Sequence, residues 1–148
     1  MCGISGIFSK NEIFNIDDRI EKMNFSLKHR GPDASGVFIN KNKIALGHTR
    51  LSIIDISDLS NQPMSSDCKN FQIVFNGEIY NFKEIRQYLN YRFKTSSDTE
   101  VILASIVENG IDWFLSIANG MFSIAIYNIS DQELILIRDR LGIKPLYY

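Results

Sequence analysis

Cys2 is the residue of this chain that could most readily perform covalent chemistry. Removal of Met1 would leave Cys2 with a thiol and a free α-amine. An N-terminal amine has a pKa of about 7.7–8 and a free thiol one of about 8.5, so the residue could supply both a nucleophile and its base near neutral pH. A small residue at position 2 also simply permits removal of methionine. While Met1 remains attached, the Cys2 nitrogen is an amide, and we expect that form to be inactive.

The Asn76-Gly77 pair could stabilise negative charge on a reacting carbonyl oxygen. Asparagine supplies a side-chain NH₂ donor, and glycine lets a backbone N–H point into a pocket without steric cost. The pair follows an apolar run at 71–75, so we expect it at the end of a strand. Asn-Gly is also the favoured two-residue hairpin turn. However, residues 78–81 lead towards a helix and not a return strand, which weakens the hairpin alternative.

Three charged residues could bind the two ends of a zwitterion. Arg50 follows a predicted strand and could hold a carboxylate through two parallel N–H bonds, although a surface ion pair is the commoner use of arginine. Asp98 could bind a cationic amine, or it could only cap a helix. Glu78 could share the amine, or it could be a solvated loop charge.

The remaining reactive side chains form no metal or disulfide pattern. His29 and His48 lie far apart and are predicted to be structural, and Cys68 lies in a polar loop as an incidental thiol. Two cysteines are too few for a disulfide scaffold, and their spacing does not match a zinc site. The segment 30–36 has two glycines and a proline, which are typical of a tight loop.

Composition places these residues in one globular domain of 148 residues. The net charge of −1, with acidic and basic residues interspersed, argues against a nucleic-acid or membrane surface. The sequence has neither an apolar run of transmembrane length nor a secretory signal, so we expect a cytoplasmic, metal-free domain. Because the chain ends in an apolar run, we also expect it to be a fragment of a longer protein.

Hydrophobic periodicity predicts an α+β fold with mainly antiparallel sheets and helices outside them. A helix with apolar residues at Ile16, Ile20, Met23 and Leu27 should end before residue 31, and Phe82, Ile85 and Leu89 mark a second. A capping-box pattern at 97–100 should open a third helix that ends near Gly110, before a short helix at 112–117. Strands are predicted at 2–9, 34–39, 44–49, 71–75, 121–127 and 133–137, with an irregular loop at 55–70.

Eight segments together resemble one family. They are MCGISGIF at 1–8, RGPDASG at 30–36, GHTRLSIID at 47–55, NQPM at 61–64, FNGEIYN at 75–81, SDTEVILA at 97–104, GMFSIAIY at 120–127 and RDRLGIKPLYY at 138–148. They resemble the N-terminal glutaminase domain of class II glutamine amidotransferases, of the glutamine-dependent asparagine synthetase type. Glucosamine-phosphate synthases and phosphoribosylpyrophosphate amidotransferases share the Cys2 start but lack the NGEIYN and GIKPLYY forms. The β-lactam-forming relatives lack the cysteine.

The resemblance implies a four-layer αββα N-terminal-nucleophile hydrolase fold and a role for each candidate residue. Cys2 would be the nucleophile, with its own α-amine relaying the proton, and Asn76 and Gly77 would form the oxyanion hole. Arg50 would bind the α-carboxylate of L-glutamine, and Asp98 with Glu78 would bind its α-ammonium. Backbone around three further residues would line the pocket: Leu51, Ile53 and Ile54.

The resemblance also implies what the chain would work with. Residues 1–148 would be the glutaminase half of a ligase of asparagine biosynthesis, supplying ammonia to a C-terminal ATP-pyrophosphatase domain. ATP and Mg²⁺ are expected only in that domain, whose Ser-Gly-Gly-rich phosphate loop is not in this sequence, and no cofactor is expected for the glutaminase step. A homodimer stays open, as does a sugar-acid acceptor in place of aspartate. A non-catalytic or differently specific module of the same fold is the alternative.

Overall fold

Two antiparallel sheets lie face to face in this protein. A computed structural model describes residues 2–148. The first sheet has the strand order β1–β3–β2, and the second has the order β4–β5–β6–β7. The strands are β1 (Gly3–Phe8), β2 (Ala34–Asn40), β3 (Ile44–Arg50), β4 (Met64–Ser65), β5 (Phe71–Ile79), β6 (Gly120–Asn128) and β7 (Glu133–Arg138).

Helices cover the outer faces of both sheets. They are α1 (Ile16–Leu27), α2 (Phe82–Gln87), α3 (Asp98–Asn109) and α4 (Ile111–Ile117), with 3₁₀ turns at Lys28–Arg30 and Asp58–Ser60. Helix α1 packs on the first sheet, while α3 packs on β5 of the second sheet and against α2 and α4. The layers therefore run α, β, β, α, which confirms the predicted α+β architecture. Among residues 2–148, none of the helices has the length and apolar character that crossing a membrane requires.

Helix α3 begins and ends as its sequence predicts. The hydroxyl of Ser97 accepts a hydrogen bond from the N–H of Glu100, so Ser97 is the N-cap. The Glu100 carboxylate does not complete the capping box, because it accepts the N–H groups of Lys94 and Thr95 instead. The helix stops at Gly110, whose φ of 86° glycine adopts without strain.

The predicted end of the fifth strand is wrong. Strand β5 continues through the Asn76-Gly77 pair to Ile79, so this pair is neither the end of a strand nor a hairpin turn. All nine residues of β5 pair with β6, from Phe71 opposite Asn128 to Ile79 opposite Gly120. A partner strand about 45 residues away in sequence overrides the local turn preference of Asn-Gly.

Two smaller differences also arise from tertiary contacts. Helix α2 ends at Gln87, so Leu89 packs on the core from outside the helix. The loop predicted at 55–70 contains the 3₁₀ turn Asp58–Ser60 and the short strand β4. Strand β4 lies beside β5, and Ser60 of the 3₁₀ turn lines the cavity described below.

The layer between the two sheets changes character along its length. At one end it is apolar, where Leu46 of β3 packs against Val74 of β5 and Ala125 of β6. Because side chains alternate between the faces of a strand, the next residues facing this layer are His48 and then Arg50 on β3. On β5 and β6 the corresponding positions are Asn76 and Ser123, which are register partners. The interior therefore becomes polar where the candidate residues lie.

Candidate active site

One cavity at the polar end of the inter-sheet layer contains every candidate site residue. Its volume is about 130 Å³, well below the roughly 300–1,000 Å³ of sites for drug-sized ligands, so its size suits a ligand as small as an amino acid. The nine candidates that line it are Cys2, Arg50, Leu51, Ile53, Ile54, Asn76, Gly77, Glu78 and Asp98. Residues separated by up to 96 positions in sequence thus share one small space.

The thiol of Cys2 lies against the backbone at the end of β3. Its Sγ is 3.4 Å from the N–H of Leu51, which donates to it, and 3.8 Å from the carbonyl oxygen of the same residue. The thiol is half-buried, so it is held in place while still lining the cavity.

The 3₁₀ turn Lys28–Arg30 and the short connection from it to β2 hold this cysteine in position. Nε of Arg30 donates to the carbonyl oxygen of Cys2 at 3.1 Å, and the Asp33 carboxylate accepts the N–H of Ser52 at 2.7 Å. The N–H of Asp33 also bonds the carbonyl of Arg50 at 3.0 Å. Sequence reasoning predicted a tight loop at 30–36 but gave no role to Arg30 or Asp33. These three hydrogen bonds connect Cys2 and the residues at the end of β3 to the same short segment, which contains Arg30 and Asp33.

Strand β5 has an open edge, because β4 pairs only with its first residues. An antiparallel strand directs the backbone groups of alternate residues to opposite sides, so odd-numbered residues of β5 face this edge. The N–H of Phe75 donates to Oε1 of Gln62 at 2.6 Å, and that of Ile79 donates to Oδ2 of Asp98 at 3.2 Å. Gly77 lies between them and lines the cavity. Its N–H is the backbone donor at this edge that faces the cavity.

Glycine is required at position 77 by the close approach of β6. A Cβ built there would collide with the carbonyl oxygen of Met121 and lie 2.7 Å from the Cα of Phe122. Backbone cannot give way as a flexible side chain can, so any side chain here would push the two strands apart. The neighbouring Asn76 is buried on the face towards Cys2, so a side-chain amide and a backbone N–H meet at one cavity.

Arg50 ends β3 with its guanidinium turned to the loop that follows. Nη1 donates to the carbonyl of Ser57 at 2.8 Å and to Oδ1 of Asn61 at 2.7 Å, and Nη2 donates to the carbonyl of Asp55. These bonds engage three of its five N–H groups. They leave the Nε–H and one Nη2–H, which form a fork suited to a carboxylate. The same side chain can therefore shape the loop and bind an anion.

The loop after β3 is also tied to the start of α3. The Asp55 carboxylate accepts the N–H and the hydroxyl of Ser96 at 2.8 and 3.0 Å, and it accepts the N–H of Ser57 at 2.8 Å. These bonds from Ser57 and Ser96 hold the pKa of Asp55 well below its usual value. The loop carrying Ile53 and Ile54 is thereby fastened across the cavity.

Asp98 is a buried acid with a perturbed pKa. It is 5% exposed, and burial raises its pKa from 3.8 to about 6. The N–H groups of Ile79 and Thr99 oppose that rise, and the negative charge of Glu78 adds to it. Ser97, and not Asp98, is the N-cap of α3, while the Asp98 carboxylate accepts the N–H of Thr99 in the first turn of that helix. A buried carboxylate with this pKa would be stabilised by a cationic ligand.

Sequence reasoning missed several residues that the structure brings to the cavity. They are Asp55, Ser60, Gln62, Phe75, Ser97, Thr99, Met121 and Lys144. Lys144 is 5% exposed, and it reaches the cavity because the Asp139 carboxylate accepts the N–H groups of Leu141, Ile143 and Lys144 itself. The segments NQPM and RDRLGIKPLYY contain Gln62 and Lys144, but nothing local in them indicates a pocket.

The two histidines and the second cysteine do not line the cavity. His29 is exposed on a 3₁₀ turn, His48 is buried between the sheets, and Cys68 is an exposed free thiol that contacts the Ser66 hydroxyl at 3.2 Å. Within residues 2–148, no group of three or more His, Cys, Asp or Glu side chains is arranged to hold a metal ion. The prediction about Met1 falls outside the described residues.

The arrangement of the layers defines the class of fold. The structure superposes with a TM-score of 0.79 on glutamine phosphoribosylpyrophosphate amidotransferase from B. subtilis, at 24% identity, over 97% of this chain and 38% of that one. That enzyme has an N-terminal-nucleophile hydrolase fold. The present chain therefore has this fold, as its sequence predicts.

The family follows from the sequence match over the same residues. Residues 1–148 match the family described as the glutamine amidotransferase domain, and the chain belongs to that family. It is 42% identical over 154 residues to a glutamine-hydrolysing asparagine synthetase 1 of Bacillus subtilis, covering all of this chain and 24% of that protein. It is 40% identical over 161 residues to the amidase chyE of Penicillium rubens, again covering 24% of the relative. The chain thus spans about a quarter of the length of these relatives.

Proposed function

We propose that this domain hydrolyses the side-chain amide of L-glutamine to glutamate and ammonia through a thioester on Cys2. It does so in the form that begins at Cys2, whose α-amine takes the thiol proton. The thiolate attacks the amide carbon, a C–S bond forms, and the carbonyl oxygen becomes an oxyanion. Collapse breaks the C–N bond, and the α-ammonium returns its proton to the leaving ammonia. Water then attacks the thioester, releasing glutamate and the thiol.

Asn76 and Gly77 stabilise the oxyanion in both steps. The donors are the side-chain NH₂ of Asn76 and the N–H of Gly77 at the open edge of β5. Fixed donors in a small cavity act strongly because they need no reorganisation as charge develops. The N–H of Leu51 supports the attacking sulfur, since it already donates to Sγ.

Opposite charges recognise the two ends of glutamine. The remaining N–H groups of Arg50 bind the α-carboxylate, and Asp98 with Glu78 binds the α-ammonium. A buried carboxylate whose pKa is about 6 is ionised at neutral pH and gains most from a cationic partner. Backbone around Leu51, Ile53 and Ile54 encloses the chain of the substrate.

One observation carries this proposal. A nucleophilic thiol, an open backbone donor and two opposite buried charges line the same cavity of about 130 Å³. Each feature alone has other uses. Together they match a small amino acid that carries an amide, and no single one of them could be removed without losing the match.

We further propose that the ammonia is used by an ATP-dependent synthetase domain in the same protein. The chain covers about a quarter of relatives named asparagine synthetase, which supports a partner domain of that type. Residues 1–148 would then be the cytoplasmic glutaminase half, and ATP and Mg²⁺ would bind only to the other domain. Aspartate is the first candidate acceptor. A sugar acid is the second candidate acceptor.

The test is glutamine hydrolysis by two forms of the chain. One form begins at Cys2 and the other retains Met1, as verified by intact mass. Ammonia release is measured with L-glutamine, L-asparagine and a simple aliphatic amide as substrates. We expect turnover of glutamine alone, and only by the form that begins at Cys2, because an amide nitrogen cannot act as the base.

An electrophilic glutamine analogue provides the second readout. A single adduct on Cys2, mapped by peptide mass, is expected in the form that lacks Met1. Turnover of another amide in preference to glutamine would favour a differently specific hydrolase of the same fold. The absence of both turnover and adduct in the form that lacks Met1 would favour a non-catalytic module and overturn the proposal.

A further inference from the structure

The peptide groups of Phe75 are held by side chains at the open edge of β5. In a sheet interior, a neighbouring strand would bond both the N–H and the C=O of this residue. Here the N–H donates to Gln62 at 2.6 Å, and the carbonyl accepts from Nε2 of His48 at 3.3 Å. Two side chains from outside the second sheet therefore replace the missing strand, two residues before Gly77.

His48 contributes a hydrogen bond here and does not only fill space between the two sheets. It is 1% exposed, and its Nδ1 has no hydrogen-bond partner among the described residues. A carbonyl can only accept, so Nε2 must carry the proton and Nδ1 is a buried lone pair. Burial lowers the pKa of His48 to about 4, and Arg50 adds to that effect, so the ring is neutral at physiological pH. An aliphatic residue would fill the layer without an unsatisfied atom.

Gln62 fixes the same peptide group from the opposite side. Its Oε1 accepts the N–H of Phe75, while its Nε2 donates to the hydroxyl of Thr99 at 3.1 Å. Thr99 belongs to the first turn of α3, next to Asp98, which bonds the N–H of Ile79. The open edge is thus attached to α3 both before and after Gly77.

We infer that His48 and Gln62 are positioning residues that hold the edge of β5 so that the Gly77 N–H and the Asn76 side chain face the reacting carbonyl. This inference rests on the proposed function. The two side chains satisfy the backbone groups of Phe75 without covering those of Gly77. His48 does not line the cavity and Gln62 does, and both act on the oxyanion donors through the strand.

The prediction is a loss of turnover without an equal loss of binding. In the form beginning at Cys2, His48→Leu and Gln62→Leu should each lower kcat for glutamine about 10- to 100-fold, because misplaced oxyanion donors weaken both chemical steps. The KM for glutamine and the dissociation constant of L-glutamate should change less than about threefold, since Arg50 and Asp98 remain.

Conservative variants test whether the hydrogen bond itself matters. His48→Gln keeps an N–H donor near the place of Nε2, and Gln62→Glu keeps an acceptor for the N–H of Phe75 while the Thr99 hydroxyl donates to it. Both should retain kcat within about fivefold of the parent. Matched controls at exposed positions, His29→Leu and Gln87→Leu, should leave kcat unchanged.

Amide NMR gives a readout that does not depend on turnover. The ¹H–¹⁵N signals of Asn76 and Gly77 should shift in His48→Leu and Gln62→Leu and return close to the parent values in the conservative variants. If one leucine variant fails to fold, the other leucine variant and its rescue decide the question. Unchanged kcat and unchanged Gly77 signals in a folded leucine variant would overturn the inference. A parent form that does not hydrolyse glutamine would instead count against the proposed function.

Discussion

The two ends of the layer between the sheets are built from the same strands but differ in what they bury. At the apolar end, Leu46, Val74 and Ala125 pack together within one cluster. Two residues further along the same strands, His48 and Ser123 each bury a polar atom that has no partner among residues 2–148. Each such atom costs about 1–3 kcal/mol. The apolar end therefore stabilises the stacking of the sheets, whereas the polar end forms a preorganised cavity and lowers the free energy of unfolding.

This fold can hold reactive side chains where its strands continue beyond the apolar cluster. Register alone determines which residues face the layer, so continuing each strand by two residues brings polar groups together without any new element. Variants at the polar end should alter glutamine turnover, while variants at the apolar end should alter stability.

Replacing the nucleophile should have the largest effect. Cys2→Ala should lower glutamine hydrolysis at least about 10⁴-fold, because no other group can form the thioester. The measurement is glutamate release by chain that begins at residue 2. Cys68→Ala is the matched control, since this exposed thiol lies outside the cavity and its loss should leave turnover unchanged. Turnover that survives in Cys2→Ala would remove the basis of the mechanism.

Removing the side-chain oxyanion donor should have the next largest effect. Asn76→Ala should lower kcat about 10²- to 10³-fold and leave KM for glutamine within about threefold, because the donor acts mainly on the charge that develops in the reaction. Steady-state kinetics across a range of glutamine concentrations separate the two constants. Asn90→Ala, at an exposed position, should behave as the parent. A rise in KM alone would mean that Asn76 only binds the ground state.

Protonation of Asp98 should weaken glutamine binding. Because the pKa of this carboxyl is about 6, KM should rise about tenfold for each pH unit below that value, as the ionised form becomes rare. Asp98→Asn should raise KM about 10- to 100-fold and remove this pH dependence, since asparagine cannot pair with an ammonium. A pH profile of KM that is the same in both proteins would contradict the assigned role.

Ionisation of Asp98 should favour glutamine binding but lower the stability of the unliganded protein. The folded pKa of Asp98 is raised above 3.8, so the native state holds the proton more tightly and the unliganded protein loses stability as pH rises from about 4 to about 6. Asp98→Asn should therefore be more stable at pH 7, by up to about 3 kcal/mol, and close to the parent at pH 4. Urea titrations at the two pH values measure the difference.

A variant at the apolar end should leave turnover unaffected. Leu46→Ala should lower the free energy of unfolding by about 2–5 kcal/mol, because it opens a cavity in a fully buried cluster. Its kcat per folded molecule should equal that of the parent. Val37→Ala, at a partly exposed position on β2, should change stability far less. A loss of kcat in folded Leu46→Ala would show that the two ends of the layer are not independent.

Local patterns predicted most of the elements and the candidate residues. The spacing of Ile16 and Ile20 located α1, and Ser97 located the start of α3, because helical periodicity and capping depend on neighbours a few positions away. The matching segments contain the nine candidate residues, all of which line the cavity, but reasoning from the sequence missed eight further lining residues. Asn76-Gly77 was misplaced because its conformation depends on pairing with a strand about 45 residues later.

The sequence by itself determined which side chains can do chemistry here: a thiol at Cys2, a cation at Arg50 and an acid at Asp98. It could not determine which backbone groups would be left without partners. The tertiary structure decided that β4 stops short, that His48 and Gln62 bond the Phe75 peptide groups, and that the Gly77 N–H stays open at the cavity. Every residue except proline carries the same backbone N–H, and only the arrangement of the strands and loops around β5 leaves the Gly77 donor facing the cavity.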